Sequence, residues 1–264
     1  MLTNETSVLL RAIQRAGNEI AKLQREGFTA AYKANHDPLT TADLAANQIL
    51  QEELLGCFPH DGWLSEETVD NFNRLHCKRV WVVDPIDGTK EYILGIPEYA
   101  ISVALIEAGI PILAAVFNPA TNELYHAIKN QGAWLNHYPI KCNCSAQMKL
   151  TILASRTEFA NGDWNSFAEQ NVIKPMGSIA YKLALIASGQ AHATFSLGPK
   201  SEWDIAAGVL LVQQAGGIAT DQYQRDFTFN QLHTRVNSIV ASSQEIFPII
   251  YAQIKTEARG VVYA

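Results

Sequence analysis

The chain has 264 residues, of which 48% are hydrophobic, and it carries a formal net charge of -6 at pH 7. This length and apolar content suffice for one large α/β unit or two fused lobes around a sizeable core. The scattered lysines and arginines argue against nucleic acid or an anionic membrane as partner. No apolar run approaches the ~18 residues of a membrane span, and the N-terminus lacks the features of a secretory signal. We therefore expect a cytoplasmic protein, without membrane insertion, that binds a small ligand or another protein.

The first sixty residues predict two helices. Apolar residues recur at steps of three and four from Leu9 to Leu23, which places them on one face of an amphipathic helix ending near Gly27. A second helix is expected to begin at TTAD (40–43), where a threonine can cap and Asp43 lies in the first turn. It should end within LLGCFP (54–59).

From Arg79 the sequence becomes rich in short β-type runs separated by turn residues. These runs are VWVVD at 80–84, ISVALIE at 101–107, PILAAVFN at 111–118, ELYHAI at 123–128 and GAWLN at 132–136. They predict a largely antiparallel sheet.

After about residue 150, strand-like and helix-like stretches alternate. Strands are predicted at 150–155, 191–196 and 238–242, and helices at 177–189, at 203–217 and at the C-terminus. The chain shows no internal repeat and no low-complexity linker. We therefore predict an α+β protein with an N-terminal lobe, 1–150, that holds most of the functional acids, and a C-terminal lobe, 151–264, that holds Asp204 and the substrate-side loops.

The stretch WVVDPIDGTKEY (81–92) carries two aspartates directly after a predicted strand. Pro85 cannot extend a ladder and Gly88 permits a tight turn, so we expect the strand to end at Asp84. A helix beginning near Gly88 would point its free N–H groups at an anion such as phosphate. Asp84 and Asp87 beside such a site make chemical sense if a divalent cation such as Mg²⁺ lies between them and the phosphate. The ordinary alternative is that both aspartates only form a turn and cap a helix.

Three further acidic positions bear on that choice. SEE (65–67) follows a glycine-containing turn, Asp43 lies at a threonine-rich helix start, and Asp204 opens an apolar helix. An acid at a helix start also stabilises the helix dipole by ~0.3–1 kcal/mol, which would explain Asp204 alone. Dipole stabilisation does not explain these three positions together with Asp84 and Asp87, whereas metal-assisted phosphoryl chemistry does. The sequence contains no G-x-S-x-G motif, which would have indicated a protein nucleophile.

The motifs SEE, DPIDGTKEY and EWDIAAG, in this order and spacing, resemble the inositol monophosphatase family of Mg²⁺-dependent, lithium-sensitive phosphatases. That family includes inositol monophosphatases, fructose bisphosphatases and 3′(2′),5′-bisphosphate nucleotidases of the CysQ type. The resemblance extends from KANHDPLTTAD (33–43) to QQAGG (213–217). It implies a layered αβαβα sandwich and two or three Mg²⁺ ions.

The resemblance also implies roles for individual residues. The metal ligands would be Glu66, Asp84, the Ile86 carbonyl, Asp87 and Asp204. Asp43, Thr89 and Glu66 would act in catalysis by activating the nucleophilic water. The N–H groups of Gly88 and Thr89 would hold the phosphate, with Asp204 also on the substrate side. Lys33 matches a family lysine near the site, and Glu67 would be a neighbour of the ligands.

The substrate follows less directly. KEY (90–92) resembles the nucleotidase branch, and neither Ser196 nor Leu197 supplies the glutamate with which inositol-type enzymes hold inositol. Lys182 and Lys200 could contact a second phosphate, with Ser178 in the same region. These features favour a nucleotidase that converts adenosine 3′,5′-bisphosphate to AMP and phosphate.

The alternatives are an inositol monophosphatase or other sugar phosphatase and, more remotely, a non-catalytic binding homologue. In each case the partner is a small phosphorylated molecule rather than nucleic acid. A homodimer is compatible with the sequence, which leaves the oligomeric state open.

Overall fold

The protein is built around two main β-sheets with helices packed on their faces. The computed structural model describes residues 2–33, 37–142 and 149–260. None of the helices in these ranges is long and apolar enough to cross a membrane.

The first half of the chain forms the larger sheet and the helices that cover one of its faces. Its helices are α1 (Thr3–Glu26), α2 (Thr41–Cys57) and the short α3 (Thr89–Ile93). Its strands are β1 (Ala30–Tyr32), β2 (Pro38–Thr40), β3 (Gly62–Ser65), β4 (Arg79–Asp87), β5 (Ala100–Glu107), β6 (Ile110–Asn118), β7 (Glu123–Ile128), β8 (Gly132–Leu135) and β9 (Tyr138–Pro139). Strands β3 to β9 pair in chain order, with β3 parallel to β4 and the other neighbours antiparallel. The predicted antiparallel sheet is confirmed.

The second half forms a smaller mixed sheet. Its strands are β10 (Thr151–Ser155), β11 (Val172–Met176), β12 (Ala193–Ser196), β13 (Lys200–Ser201), β14 (Gly217–Thr220), β15 (Arg235–Val236) and β16 (Ile239–Ser243). Its helices are α4 (Arg156–Ala160), α5 (Asn165–Ala168), α6 (Ile179–Ala187), α7 (Glu202–Gln214) and α8 (Phe247–Gly260). Five of the strands form one sheet in the order β11-β10-β12-β16-β14, while β13 pairs separately with β15.

Three groups of buried apolar side chains give the order of the layers. In the first, Ile13 of α1 and Leu50 of α2 pack on the face of the larger sheet that carries Val83. In the second, α6 and α7 fill the space between the opposite face of that sheet and the smaller sheet. In the third, Ile250 of α8 covers the outer face of the smaller sheet. The protein is therefore an αβαβα sandwich of the α+β class, as expected. The division of the chain at residue 150 stays a prediction.

The end of β4 differs from the prediction. The strand does not stop at Asp84 but continues through Pro85 to Asp87. Asp84 pairs with Ser102 and Asp87 with Ala100, and the register shifts between these two pairs. A bulge leaves residues outside the hydrogen-bonded ladder. Pro85, which has no N–H group to donate, can therefore lie within the strand at this point.

Candidate active site

A cavity of about 320 Å³ opens where the end of β4 meets the starts of α6 and α7. Ten of the predicted site residues line it: Glu66, Asp84, Ile86, Asp87, Gly88, Thr89, Ser178, Lys182, Lys200 and Asp204. They come from both halves of the chain, so the fold rather than sequence proximity brings them together.

The bulge in β4 shapes the first wall of the cavity. Asp84 is 1% exposed, and its Oδ1 accepts a hydrogen bond from the Ile86 N–H at 3.0 Å. The Asp87 Oδ2 accepts hydrogen bonds from the Ser178 hydroxyl at 2.7 Å and the Ala180 N–H at 2.6 Å. Asp87 therefore ties the larger sheet to the start of α6.

Gly88 makes the turn from β4 into α3. Its φ is 97°, a left-handed value that favours glycine. A Cβ at this position would lie 2.9 Å from the carbonyl oxygen of Glu98, which is too close for any other residue without a shift of the backbone. Both constraints explain a glycine directly after Asp87.

Thr89 joins the first turn of α3 to the start of α2. Its Oγ1 lies 3.1 Å from Asp43 Oδ1 and 3.0 Å from the Ile86 carbonyl oxygen, so its single proton can go to either acceptor. The other oxygen of Asp43 accepts from the Thr40 N–H and hydroxyl, which completes a capping box at α2. Asp43 thus serves as a helix cap and as the partner of Thr89 at once.

Glu66 follows β3 directly and contacts the predicted lysine. The Lys33 ammonium lies 2.8 Å from Glu66 Oε1 and 2.7 Å from Glu67 Oε1. These contacts raise the pKa of Lys33 despite its partial burial. Burial raises the pKa of Glu67 to about 7, against the opposing effect of Lys33. Lys33 therefore provides a positive charge at the edge of the acidic cluster.

Asp204 stands in the first turn of α7. Its Oδ2 accepts the Ser201 N–H at 2.8 Å in a second capping box. Burial, followed by the charge of Asp87, raises the pKa of Asp204 to about 8. The helix-capping role considered from the sequence is real, and it occupies one of the two carboxylate oxygens.

The acids repel one another. Burial, together with the charges of Glu66, Asp87 and Asp204, raises the pKa of Asp84 well above its usual value. Burial also raises the pKa of Asp87, although the Ala180 N–H, the Ser178 hydroxyl and Lys182 oppose the shift. A divalent cation would relieve this repulsion, and carboxylate and carbonyl oxygens are the ligands that Mg²⁺ prefers.

The carboxylate and carbonyl oxygens of these residues fit Mg²⁺ in their chemistry, and the residues line a single cavity. Among the residues that the structure describes, no three acidic, histidine or cysteine side chains already converge on a single point like a finished metal site. The assignment of individual ligands is therefore part of the proposal below.

The two predicted substrate lysines differ in their surroundings. Lys182 is 4% exposed, and its ammonium donates to the carbonyl oxygens of Met176 at 3.1 Å and Gly177 at 3.5 Å. Burial lowers the pKa of Lys182 to about 8, against the opposing charge of Asp87. Lys200 is more accessible and lies 3.6 Å from Glu158. Both lysines line the cavity, and the ammonium group of each already contacts oxygen atoms of the protein.

Arg156 is a cavity residue that the sequence reasoning missed. It lies at the start of α4, directly after β10, and forms ion pairs with Glu98 and, at 3.4 Å, with Glu91. A charged residue directly after a predicted strand was the signal that could have identified it. Its two acidic partners balance its charge.

A family model, several curated proteins and several solved structures match this chain. The model of the Inositol monophosphatase family matches residues 1–258. The Nus factor SuhB of Escherichia coli K12 is 31% identical over 262 residues, covering 95% of this chain and 96% of that protein. The inositol-1-monophosphatase of Rhizobium meliloti is 34% identical over 226 residues, covering 81% of this chain and 84% of that protein.

Among solved structures, an IMPase from Thermotoga maritima superposes with a TM-score of 0.84 at 24% identity. The match covers 99% of this chain and 100% of that one, and at this identity it supports the fold alone. Together with the family match, these findings show that the chain belongs to the inositol monophosphatase family of metal-dependent phosphatases.

Proposed function

We propose that this protein is a Mg²⁺-dependent phosphatase that hydrolyses inositol monophosphate or a similar small phosphorylated polyol or sugar. The observation that carries the proposal is the gathering of Glu66, Asp84, Asp87 and Asp204 on one cavity, with the Thr89–Asp43 pair beside them. Acids that raise one another's pKa while facing a cavity are typical of a functional site.

Four side chains and one carbonyl would hold the cation: Glu66, Asp84, Asp87, Asp204 and the Ile86 carbonyl. When bound, Mg²⁺ neutralises phosphate charge and makes a water molecule more acidic near neutral pH. Asp204 and Asp87 each use one oxygen in a protein hydrogen bond, which leaves the other for this role.

The remaining chemistry belongs to the chain's own residues. Thr89, held 3.1 Å from Asp43, would orient the attacking water and pass its proton toward that carboxylate. Backbone N–H groups of Gly88 and Thr89, at the start of α3, would hold the phosphate oxygens. Water then forms the new bond to phosphorus as its proton passes toward Asp43, the ester bond breaks, and the leaving alkoxide takes up a proton from solvent, to which Asp43 returns its own.

The relatives favour a single-phosphate substrate. One is named an inositol-1-monophosphatase, and this supports the inositol or sugar phosphatase reading better than the bisphosphate nucleotidase reading. The contacts of the two lysines also favour a single-phosphate substrate, because Glu158 pairs with Lys200 and backbone carbonyl oxygens bind Lys182. Less positive charge is then free for a second phosphate.

The bisphosphate nucleotidase is the second candidate. It is favoured by the presence of both Lys182 and Lys200 in the lining of the cavity, where a 5′-phosphate could displace Glu158 from Lys200. Adenosine 3′,5′-bisphosphate would then lose its 3′-phosphate to leave AMP.

Phosphate release from three substrates separates the candidates: inositol 1-phosphate, fructose 1,6-bisphosphate and adenosine 3′,5′-bisphosphate. We expect kcat/KM to be highest for inositol 1-phosphate, the one substrate of the three with a single phosphate, and Lys200→Ala to leave that value within about threefold. If the nucleotide is preferred instead, Lys200→Ala should lower its kcat/KM by ~10-fold or more, since a charge-assisted contact contributes ~1.5–3 kcal/mol.

Lys78→Ala is the matched control for this experiment. Lys78 also pairs with a glutamate, Glu107 at 3.3 Å, but it does not line the cavity. A preference for the nucleotide that is lost in Lys200→Ala and kept in Lys78→Ala would contradict the first candidate and establish the second.

A further inference from the structure

Glu202 is a buried acid that the proposed chemistry does not use. It opens α7 two residues before Asp204 and is 1% exposed. Its Oε2 accepts the Asn230 N–H at 2.6 Å, and its Oε1 accepts the Gln231 N–H at 2.9 Å. Both oxygens are thus committed to one short loop.

Arg74 holds the same loop from the other side. Its guanidinium, also buried, donates to the Asn230 side-chain oxygen at 2.5 Å and to the Gln231 carbonyl oxygen at 3.0 Å. Arg74 belongs to the 3₁₀ turn Asn73–His76, in the segment that follows Glu66. Hydrogen bonds therefore run from that segment through the loop at 230–231 to the start of α7.

Ser102 provides a second connection. Its hydroxyl donates to the Trp203 carbonyl oxygen at 3.0 Å, one residue before Asp204. Ser102 lies on β5 directly opposite Asp84 in the β4–β5 pairing. The residue before Asp204 is thereby hydrogen-bonded to the strand residue that pairs with Asp84.

We propose that Glu202 and Ser102 are positioning residues that hold Asp204 in register with Asp84 and so set the affinity of the cation site. The inference rests on the proposed metal role of Asp204. The Glu202 side chain and the Trp203 carbonyl oxygen are both held by groups from elsewhere in the fold, so Asp204 has little freedom to move away from the other acids. Partners that orient metal ligands in this way typically change metal affinity 10- to 100-fold when they are removed.

The test measures Mg²⁺ binding by calorimetry on the folded protein, together with kcat and the Mg²⁺ concentration that gives half-maximal activity. Glu202→Gln keeps the shape but replaces one acceptor oxygen with an NH₂ group facing a backbone N–H. Ser102→Ala removes the second connection with less effect on folding. We expect each variant to bind Mg²⁺ ~10-fold or more weakly, with a larger change in the Mg²⁺ requirement than in kcat at saturating Mg²⁺.

Asp61→Asn is the matched control. Asp61 is a partly buried residue whose carboxylate accepts hydrogen bonds from Arg79 and Trp81 and does not line the cavity, so its loss should lower stability without changing Mg²⁺ affinity. If Glu202→Gln does not fold, Ser102→Ala decides the question.

Wild-type Mg²⁺ affinity in Ser102→Ala and in folded Glu202→Gln would overturn the inference. Weakened binding in Asp204→Asn alone would then leave the proposed function intact. If Asp204→Asn also binds Mg²⁺ normally, the metal role of Asp204 itself is wrong.

Discussion

Asp204 uses its two carboxylate oxygens for different purposes. One caps α7 through the Ser201 N–H, and the other is free to face the cavity. Capping alone would favour the charged form, yet burial and the charge of Asp87 raise the pKa to about 8. The charged carboxylate is therefore held at an energetic cost in the metal-free protein, as expected for a residue retained for binding rather than for stability.

The raised pKa makes a prediction about stability and pH. In the unfolded chain Asp204 has its ordinary pKa of 3.8, whereas the folded value is about 8. Between these values the folded state binds more protons, so the contribution of Asp204 to stability falls as pH rises. Asparagine carries no such charge. In EDTA, the stability of Asp204→Asn relative to wild type should therefore rise between pH 5.5 and 7.5, by about 1 kcal/mol after allowance for solvent contact.

Denaturant unfolding at the two pH values measures this difference. Taking the variant against wild type cancels the titrating groups that do not interact with Asp204, among them His126, whose pKa is lowered by burial. Saturating Mg²⁺ should remove the advantage of the variant, because the cation neutralises the wild-type carboxylate. A difference in stability that stays constant with pH in EDTA would show that folding does not raise the pKa of Asp204.

At the scale of elements, the regular helices and strands were predictable and the short ones were not. The stripe from Leu9 to Leu23 correctly predicted α1, and the apolar runs after Arg79 predicted β4 to β8. Pairs of two or three residues, such as β1 with β2 and β13 with β15, have no periodicity of their own. They exist because the rest of the fold places them side by side.

The site was predictable to a similar degree. Ten of the predicted residues line one cavity because the motifs report chemistry directly. The continuation of β4 through Pro85 was missed, since a bulge depends on the partner strand β5 rather than on local preference. The sequence does not reveal the connection between Glu202 and Arg74, because the two residues lie far apart in the chain and are joined only through one loop in space.

The junction of α2 and α3 gives a prediction about catalysis. Thr89→Val removes the hydroxyl that reaches Asp43 and Ile86 but keeps the shape of the side chain. Because this hydroxyl would orient the attacking water, kcat should fall ~100-fold or more in the variant. The Mg²⁺ requirement should stay near wild type, because no proposed cation ligand is lost. The stability cost should be about 1 kcal/mol, the usual contribution of one hydrogen bond.

Steady-state kinetics over a range of Mg²⁺ concentrations measures both quantities. Thr194→Val is the control, since Thr194 is a fully buried threonine that donates to the Leu153 carbonyl in the smaller sheet. A kcat that falls no further in Thr89→Val than in Thr194→Val would show that the Thr89 hydroxyl has only a structural role.

At the scale of the whole molecule, the site lies where the layers meet. The β4 end supplies Asp84 and Asp87, while α6 and α7, packed between the two sheets, supply Lys182 and Asp204. Because these helices are buried on both sides, their starts cannot shift without disturbing the core. The substrate was the least predictable feature, since it depends on which charges the lysines and Arg156 have already paired with.

In the proposed function, the acids on this cavity act through Mg²⁺ to hydrolyse a phosphate monoester. The most direct test is phosphate release from inositol 1-phosphate by wild type and Asp87→Asn, each in Mg²⁺ and in EDTA, with circular dichroism to confirm the fold. We expect turnover for wild type only in Mg²⁺, and a loss of several orders of magnitude in folded Asp87→Asn, because a charged ligand has been removed. Turnover by wild type that is undiminished in EDTA, or near-normal turnover by Asp87→Asn in Mg²⁺, would show that these acids do not act through Mg²⁺.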